Sequence, residues 1–164
     1  MKRGTWTSLA VLLAIGLAIG LTGTSPCLAA DDQATSEECV QKCAEAIQYA
    51  KDNGVEKLLE KVNEKGGMFT WKNTYVFCIK EGTAEMVAHP LDFYKSMFGR
   101  PLTGLRDPEG KEIFKEMLEV VETRDKGWVN YMFAPGPGQK PRLKVTYVEK
   151  IPDTDVIVAA GITP

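Results

Sequence analysis

Gly127-Trp128-Val129-Asn130-Tyr131-Met132-Phe133, then Ala134-Pro135-Gly136-Pro137-Gly138, then Arg142-Leu143-Lys144-Val145-Thr146-Tyr147-Val148-Glu149-Lys150, is the stretch that decides the fold. Two runs rich in aromatic and β-branched residues flank a segment in which proline and glycine alternate. Proline lacks the N–H that a sheet ladder needs, and glycine supplies turn conformations, so the middle is a loop and the flanks are strands. The reading predicts an antiparallel hairpin of Trp128 to Phe133 with Arg142 to Lys150. Side chains alternate along a strand, which puts Val129, Tyr131 and Phe133 on one face. Trp128 falls on the other, where it is expected to pack against a helix.

The same logic extends outward. Pro152-Asp153-Thr154-Asp155 turns the chain into a last buried strand, Val156 to Ala160. Upstream, Asp107-Pro108-Glu109-Gly110 marks a turn and a helix start, and Ile113, Phe114, Met117, Leu118 and Val121 recur at helical spacing. Leu91 to Arg106 reads as loop with one helical turn around Phe93 to Phe98. Before it, Tyr75, Phe77 and Ile79 alternate with Val76, Cys78 and Lys80, Glu81-Gly82 turns, and Ala84 to Ala88 forms a short strand that stops at His89-Pro90. Ser36 to about Lys65 is helical, with Ser36 as N-cap and Glu37 and Glu38 in the first turn, where the helix dipole favours negative charge. Asn53-Gly54 interrupts it as either a kink or a break between two helices. The fold class is α+β: one long N-terminal helix packed on an antiparallel sheet of about five strands, with a helical insertion after the second.

The chain has 164 residues, enough for one domain with a core. Residues 1–30 read as a leader. Lys2 and Arg3 precede an apolar run from Leu9 to Leu21, and Ala29 or Ala30 is the cleavage position. That run is short of the ~20 residues a membrane span needs, so cleavage is preferred over a retained anchor. Residues 31–164 form the domain, expected to be periplasmic and not membrane-spanning. Cleavage removes two of the 20 Lys plus Arg and none of the 22 Asp plus Glu. The mild acidity argues against nucleic acid as a partner, which wants a basic face. Cys39, Cys43 and Cys78 remain after the leader. A bridge from Cys78 to Cys39 or Cys43 is expected in an oxidising compartment. Haem attachment is disfavoured because Ala44 follows Cys43, and zinc because the chain holds one histidine; no cofactor is implied.

Taken in order, Gly67-Met68-Phe69, Tyr75-Val76-Phe77, His89-Pro90, Gly99-Arg100-Pro101-Leu102, Asp107 with Gly110, Gly127-Trp128-Val129-Asn130-Tyr131 and Lys144-Val145-Thr146-Tyr147-Val148 resemble a single Cache domain of the second type. This PAS-like extracytoplasmic module senses small ligands. The likeness covers about residues 36 to 162 and departs from the family pattern at its end, where Gly161-Ile162-Thr163 lacks the family's tyrosine. The chain stops where the sheet ends, so the free-standing exported version is the expectation, with occupancy read by a separate membrane receptor or transporter.

The resemblance implies a pocket on one sheet face for a short organic acid or similar metabolite. A carboxylate there wants one fixed cation, neutral donors and apolar walls. Lys144 matches the family's lysine and is the cation candidate, the alternative being a solvated lysine at a strand edge. Tyr131 is a candidate donor, Tyr75, Phe77 and Phe133 are candidate walls or plain core, and Trp71 and Arg100 are rim candidates. His89 is a candidate donor that would also confer pH sensitivity with an ordinary imidazole pKa. Catalysis is not expected, since no nucleophile–base pair stands out and Asp107 with Glu109 suits a turn better than an acid pair. The alternative function is a structural or interaction domain without a ligand, a homodimer through the N-terminal helix.

Overall fold

Thr35, rather than Ser36, caps the first helix. Its hydroxyl accepts from the Glu38 N–H at 3.2 Å, and the Glu38 carboxylate accepts from the Thr35 N–H at 2.9 Å, a reciprocal box that satisfies two open donors. The computed structural model describes residues 32–134 and 138–164; the expected leader with Cys27, and the Pro135-Gly136-Pro137 tip of the hairpin, lie outside the described residues. Helix α1 (Ser36–Asn53) buries Cys39, Cys43, Ala46, Ile47 and Ala50, a stripe at intervals of three and four. Gly54 ends it at φ +94°, a conformation that L side chains rarely adopt. Helix α2 (Val55–Val62) follows and buries Leu58 and Val62. Of the two readings of Asn53-Gly54, the break is the one adopted.

Six strands follow among the described residues: β1 (Thr70–Trp71), β2 (Thr74–Lys80), β3 (Met86–Ala88), then, after α3 (Asp92–Lys95) and α4 (Ile113–Arg124), β4 (Lys126–Phe133), β5 (Arg142–Lys150) and β6 (Val156–Ile162). The order is β1-β2-β6-β5-β4, with β3 also on β2, and every pairing is antiparallel. The sixth strand is β1, two residues long and too short for alternation to betray it in sequence. The predicted hairpin is in register with Tyr131 opposite Lys144.

Both sheet faces are covered. Val76, Cys78, Tyr147, Val158 and Ala160 pack under α1 and α2; Phe77, Ile79, Val129, Tyr131, Val148, Ile157 and Ala159 pack under α4 and the segment after β3. Full burial of side chains such as Ile157 and Leu58 stabilises by about 1.5–3 kcal/mol each. Trp128 departs from its expectation: it lies against Tyr147, ring centroids 5.2 Å apart, and stays 38% exposed. The reason is that α1 packs chiefly over β6, two strands away from β4.

The expected bridge from Cys78 is not formed. Cys39, Cys43 and Cys78 are free thiols within one apolar cluster. Burial pushes the Cys39 thiol up to about 11 and raises Cys43 and Cys78 as well, so all three sit protonated and serve as small core residues. Among the described residues no helix is long and apolar enough to cross a membrane.

Candidate functional site

The pairing of Tyr131 with Lys144 puts both side chains on the α4 face of the sheet. Lys144 is only 6% exposed there. Its ammonium lies 4.5 Å from the ring centre of Phe133 and 5.1 Å from that of Tyr75. Among the described residues it has no hydrogen-bond acceptor and no ion-pair partner. Burial penalises the charged form and holds its pKa down at about 8. Two aromatic faces supply cation–π attraction, which offsets part of that penalty.

His89 closes the site from the end of β3. Its Nδ1 accepts from the Leu91 N–H at 3.0 Å, so Nε2 carries the proton and is the ring's donor. Its backbone N–H donates to Asn63 Oδ1 at 2.9 Å, tying it to the end of α2. The ring sits 4.7 Å from Tyr75, 6.0 Å from Phe77 and 4.2 Å from Tyr94, centre to centre. Burial, then the charge of Lys144, push the imidazole pKa down to about 3. The expected pH sensitivity is therefore corrected: His89 stays neutral at any ordinary pH.

Tyr131 reaches Thr146, hydroxyl to hydroxyl, at 3.1 Å, and burial pushes its pKa up to about 12. Tyr75 and Tyr94 are raised for the same cause. The tyrosines are thus neutral donors. Gly161 is paired with Thr146 across β5 and β6; a Cβ there would run into the Thr146 hydroxyl and stand 2.9 Å from the Val145 carbonyl. Close backbone approach requires glycine at this point, beside the site.

Two chambers meet at Lys144. The outer, about 260 Å³, also takes in Arg142, Thr163, Leu91, Tyr94 and Phe133. The inner, about 80 Å³, is bounded by His89, Phe77, Tyr131, Met86, Met97 and Phe114 among others. No aspartate or glutamate lines either chamber. The arrangement offers one desolvated cation, fixed neutral donors and apolar walls.

Of the sequence candidates, Lys144, Tyr131, His89, Tyr75, Phe77 and Phe133 come together here. Trp71 does not: it packs against the helix-side cluster on the other face. Arg100 does not either, being exposed in the loop after Gly99. Asp107 proves to be a pin, its carboxylate accepting from the N–H groups of Glu109, Lys111 and Met132, each at 2.9 Å. Sequence reasoning missed Arg142, although strand alternation from Lys144 marks it, and Tyr94, whose orientation no short pattern reveals.

With this geometry in place, comparison with known proteins is informative. The family described as dCache_2, Cache domain, matches residues 38–163. The methyl-accepting chemotaxis protein McpP of Pseudomonas putida is 30% identical over 87 residues, 52% of this chain and 15% of that protein, so the chain spans a small part of this relative's length. Among solved structures, one titled "Structural basis for carboxylic acid recognition by a Cache chemosensory domain" is similar with a TM-score of 0.63 at 22% identity, covering 78% of this chain and 92% of the other. A periplasmic sensor domain of a chemotaxis protein gives 0.60 at 22% identity over 77% and 88%. A methyl-accepting chemotaxis protein from Vibrio parahaemolyticus gives 0.62 at 17% identity over 77% and 86%. These structural likenesses establish the α+β, PAS-like fold.

Proposed function

The chain belongs to the Cache-domain family, and from that premise we propose that it is an exported sensor domain which holds a small carboxylate-bearing metabolite against Lys144. Its leader would deliver it to a periplasm, and a separate membrane receptor or transporter would read its occupancy. One observation carries the reading: a lysine 6% exposed, without a counter-ion among the described residues, stands where two chambers meet. An isolated buried charge is costly, and a carboxylate supplies the missing partner together with charge-assisted hydrogen bonds. The neutral N–H of His89 and the tyrosine hydroxyls would orient the acid, and the apolar walls keep water from competing.

A related structure is titled for carboxylic acid recognition by a Cache domain, which supports the same ligand class here. The chambers together suit a molecule smaller than a typical drug. Ammonium-bearing ligands fit poorly, because nothing acidic lines the cavity to receive them. A desolvated cation among neutral donors suits retention rather than turnover. Thermal-shift screening against short carboxylates, amino acids and amines tests the proposal. Stabilisation by carboxylates alone is expected, and no response to any carboxylate would refute it.

A further inference from the structure

Arg142 has no role in the reading above, and it is the second cation of the outer chamber. It lies two residues before Lys144 on β5, so alternation puts both side chains on the same face. Both line the same volume of about 260 Å³. Arg142 is exposed and, like Lys144, has no ion-pair partner among the described residues. A single carboxylate at Lys144 leaves most of the outer chamber, and the whole guanidinium, unused.

Two other polar residues of that chamber are already engaged. Thr74 donates its hydroxyl to the Gly161 carbonyl at 2.6 Å. Asn73 accepts from the Ala34 N–H at 2.9 Å and donates to Gln33 at 2.5 Å. The charged groups that can meet a ligand are the ammonium of Lys144 and the guanidinium of Arg142, and Tyr75, Tyr94 and Thr163 line the same chamber as neutral donors. A larger side chain at Thr163 would narrow the path between the two cations. Residues two apart on a strand are separated by about 7 Å at the backbone, and both side chains are long and flexible enough to converge on the two ends of an acid of four or five carbons.

On the strength of the proposed carboxylate site, we infer that the ligand is a short dicarboxylate, held by Lys144 at one end and by Arg142 at the other. The guanidinium fork matches a carboxylate in two parallel hydrogen bonds, and its position at the mouth lets it engage the second acid group without burying it. Arg142 then sets specificity: monocarboxylates satisfy Lys144 alone, and amino acids bring an ammonium into a chamber that holds two cations.

Isothermal titration of the purified full chain with propionate, succinate and glutarate is the test, repeated on Arg142→Ala, Arg142→Lys and Thr163→Tyr, with circular dichroism to confirm folding. Succinate or glutarate should bind about tenfold more tightly than propionate, the equivalent of about 1.4 kcal/mol. Arg142→Ala should bring that ratio close to one, Arg142→Lys should restore part of it, and Thr163→Tyr should lower it by narrowing the path. Propionate binding as tightly as the diacids, or a ratio unchanged in Arg142→Ala, would overturn the inference while leaving a monocarboxylate sensor standing. Failure of all three acids to bind would overturn both.

Discussion

Replacing Lys144 by methionine should make the empty protein more stable. The side chain is 6% exposed, and burial holds its pKa at about 8 against an ordinary 10.5. At 1.36 kcal/mol per tenfold change in proton affinity, keeping that charge indoors costs about 3 kcal/mol. The rings of Phe133 and Tyr75, at 4.5 and 5.1 Å, return about 1 kcal/mol. Methionine fills nearly the same volume without a charge, so Lys144→Met should stabilise by about 1–3 kcal/mol near pH 7, or about 3–10 °C in melting temperature.

The pH dependence has a definite sign. The folded pKa lies below the unfolded one, so between about pH 8 and 10.5 the unfolded chain binds more protons, and stability rises with pH across that window. The penalty is fully present below pH 8. Buried thiols and tyrosines titrate in the opposite sense at higher pH, but they are common to both proteins. The difference in unfolding free energy between Lys144→Met and wild type should therefore shrink from pH 7.5 to pH 10. Urea unfolding at several pH values measures it. A variant less stable than wild type at pH 7, with a difference that ignores pH, would refute the reasoning.

Three further outcomes are expected. Affinity for a monocarboxylate such as propionate should be flat from pH 6 to about 7.5 and fall above pH 8, approaching tenfold per pH unit, because Lys144 attracts the acid only as the ammonium. Calorimetry showing a step between pH 6 and 7 would contradict the neutral state of His89, the chain's one histidine. Gly161→Ala should cost about 1–3 kcal/mol by overpacking, since its Cβ collides with the Thr146 hydroxyl and the Val145 carbonyl; an unchanged melting temperature would count against the close approach drawn here. Thiol titration of reduced-free material should find Cys39, Cys43 and Cys78 unreactive when folded and all three reactive in denaturant, whereas a single reactive thiol would reveal a bridge.

Much of the fold was legible because its signals are local. The hairpin of β4 and β5 is written in alternation around a segment rich in proline and glycine, and α4 in a helical stripe. The grouping of the candidate residues was legible where one of these regular elements carried them: Lys144, Tyr131 and Phe133 share a face by alternation, and Tyr75 with Phe77 likewise. Trp71 and Arg100 were misplaced for a different reason. Trp71 belongs to a two-residue strand, too short to define a face, and Arg100 to an irregular loop whose course depends on distant contacts. His89 lines the candidate site, but the ordinary imidazole expected of it does not hold, because burial among aromatic rings, then one lysine remote in sequence, push its pKa down to about 3. The cysteines show the limit of counting: an odd number in a chain read as exported suggests a bridge, yet an apolar cluster accommodates each as a thiol.

The most direct test follows the Lys144 amine itself. In protein labelled with carbon-13 at the lysine side chains, the Lys144 resonance, assigned by its loss in Lys144→Met, should titrate with a midpoint near 8 in the free chain. Saturation with a bound short carboxylate should move that midpoint upward by one to two pH units or more, since an opposite charge in contact favours the ammonium. A free-chain midpoint near the ordinary 10.5, or one that does not move when the acid binds, would contradict the account.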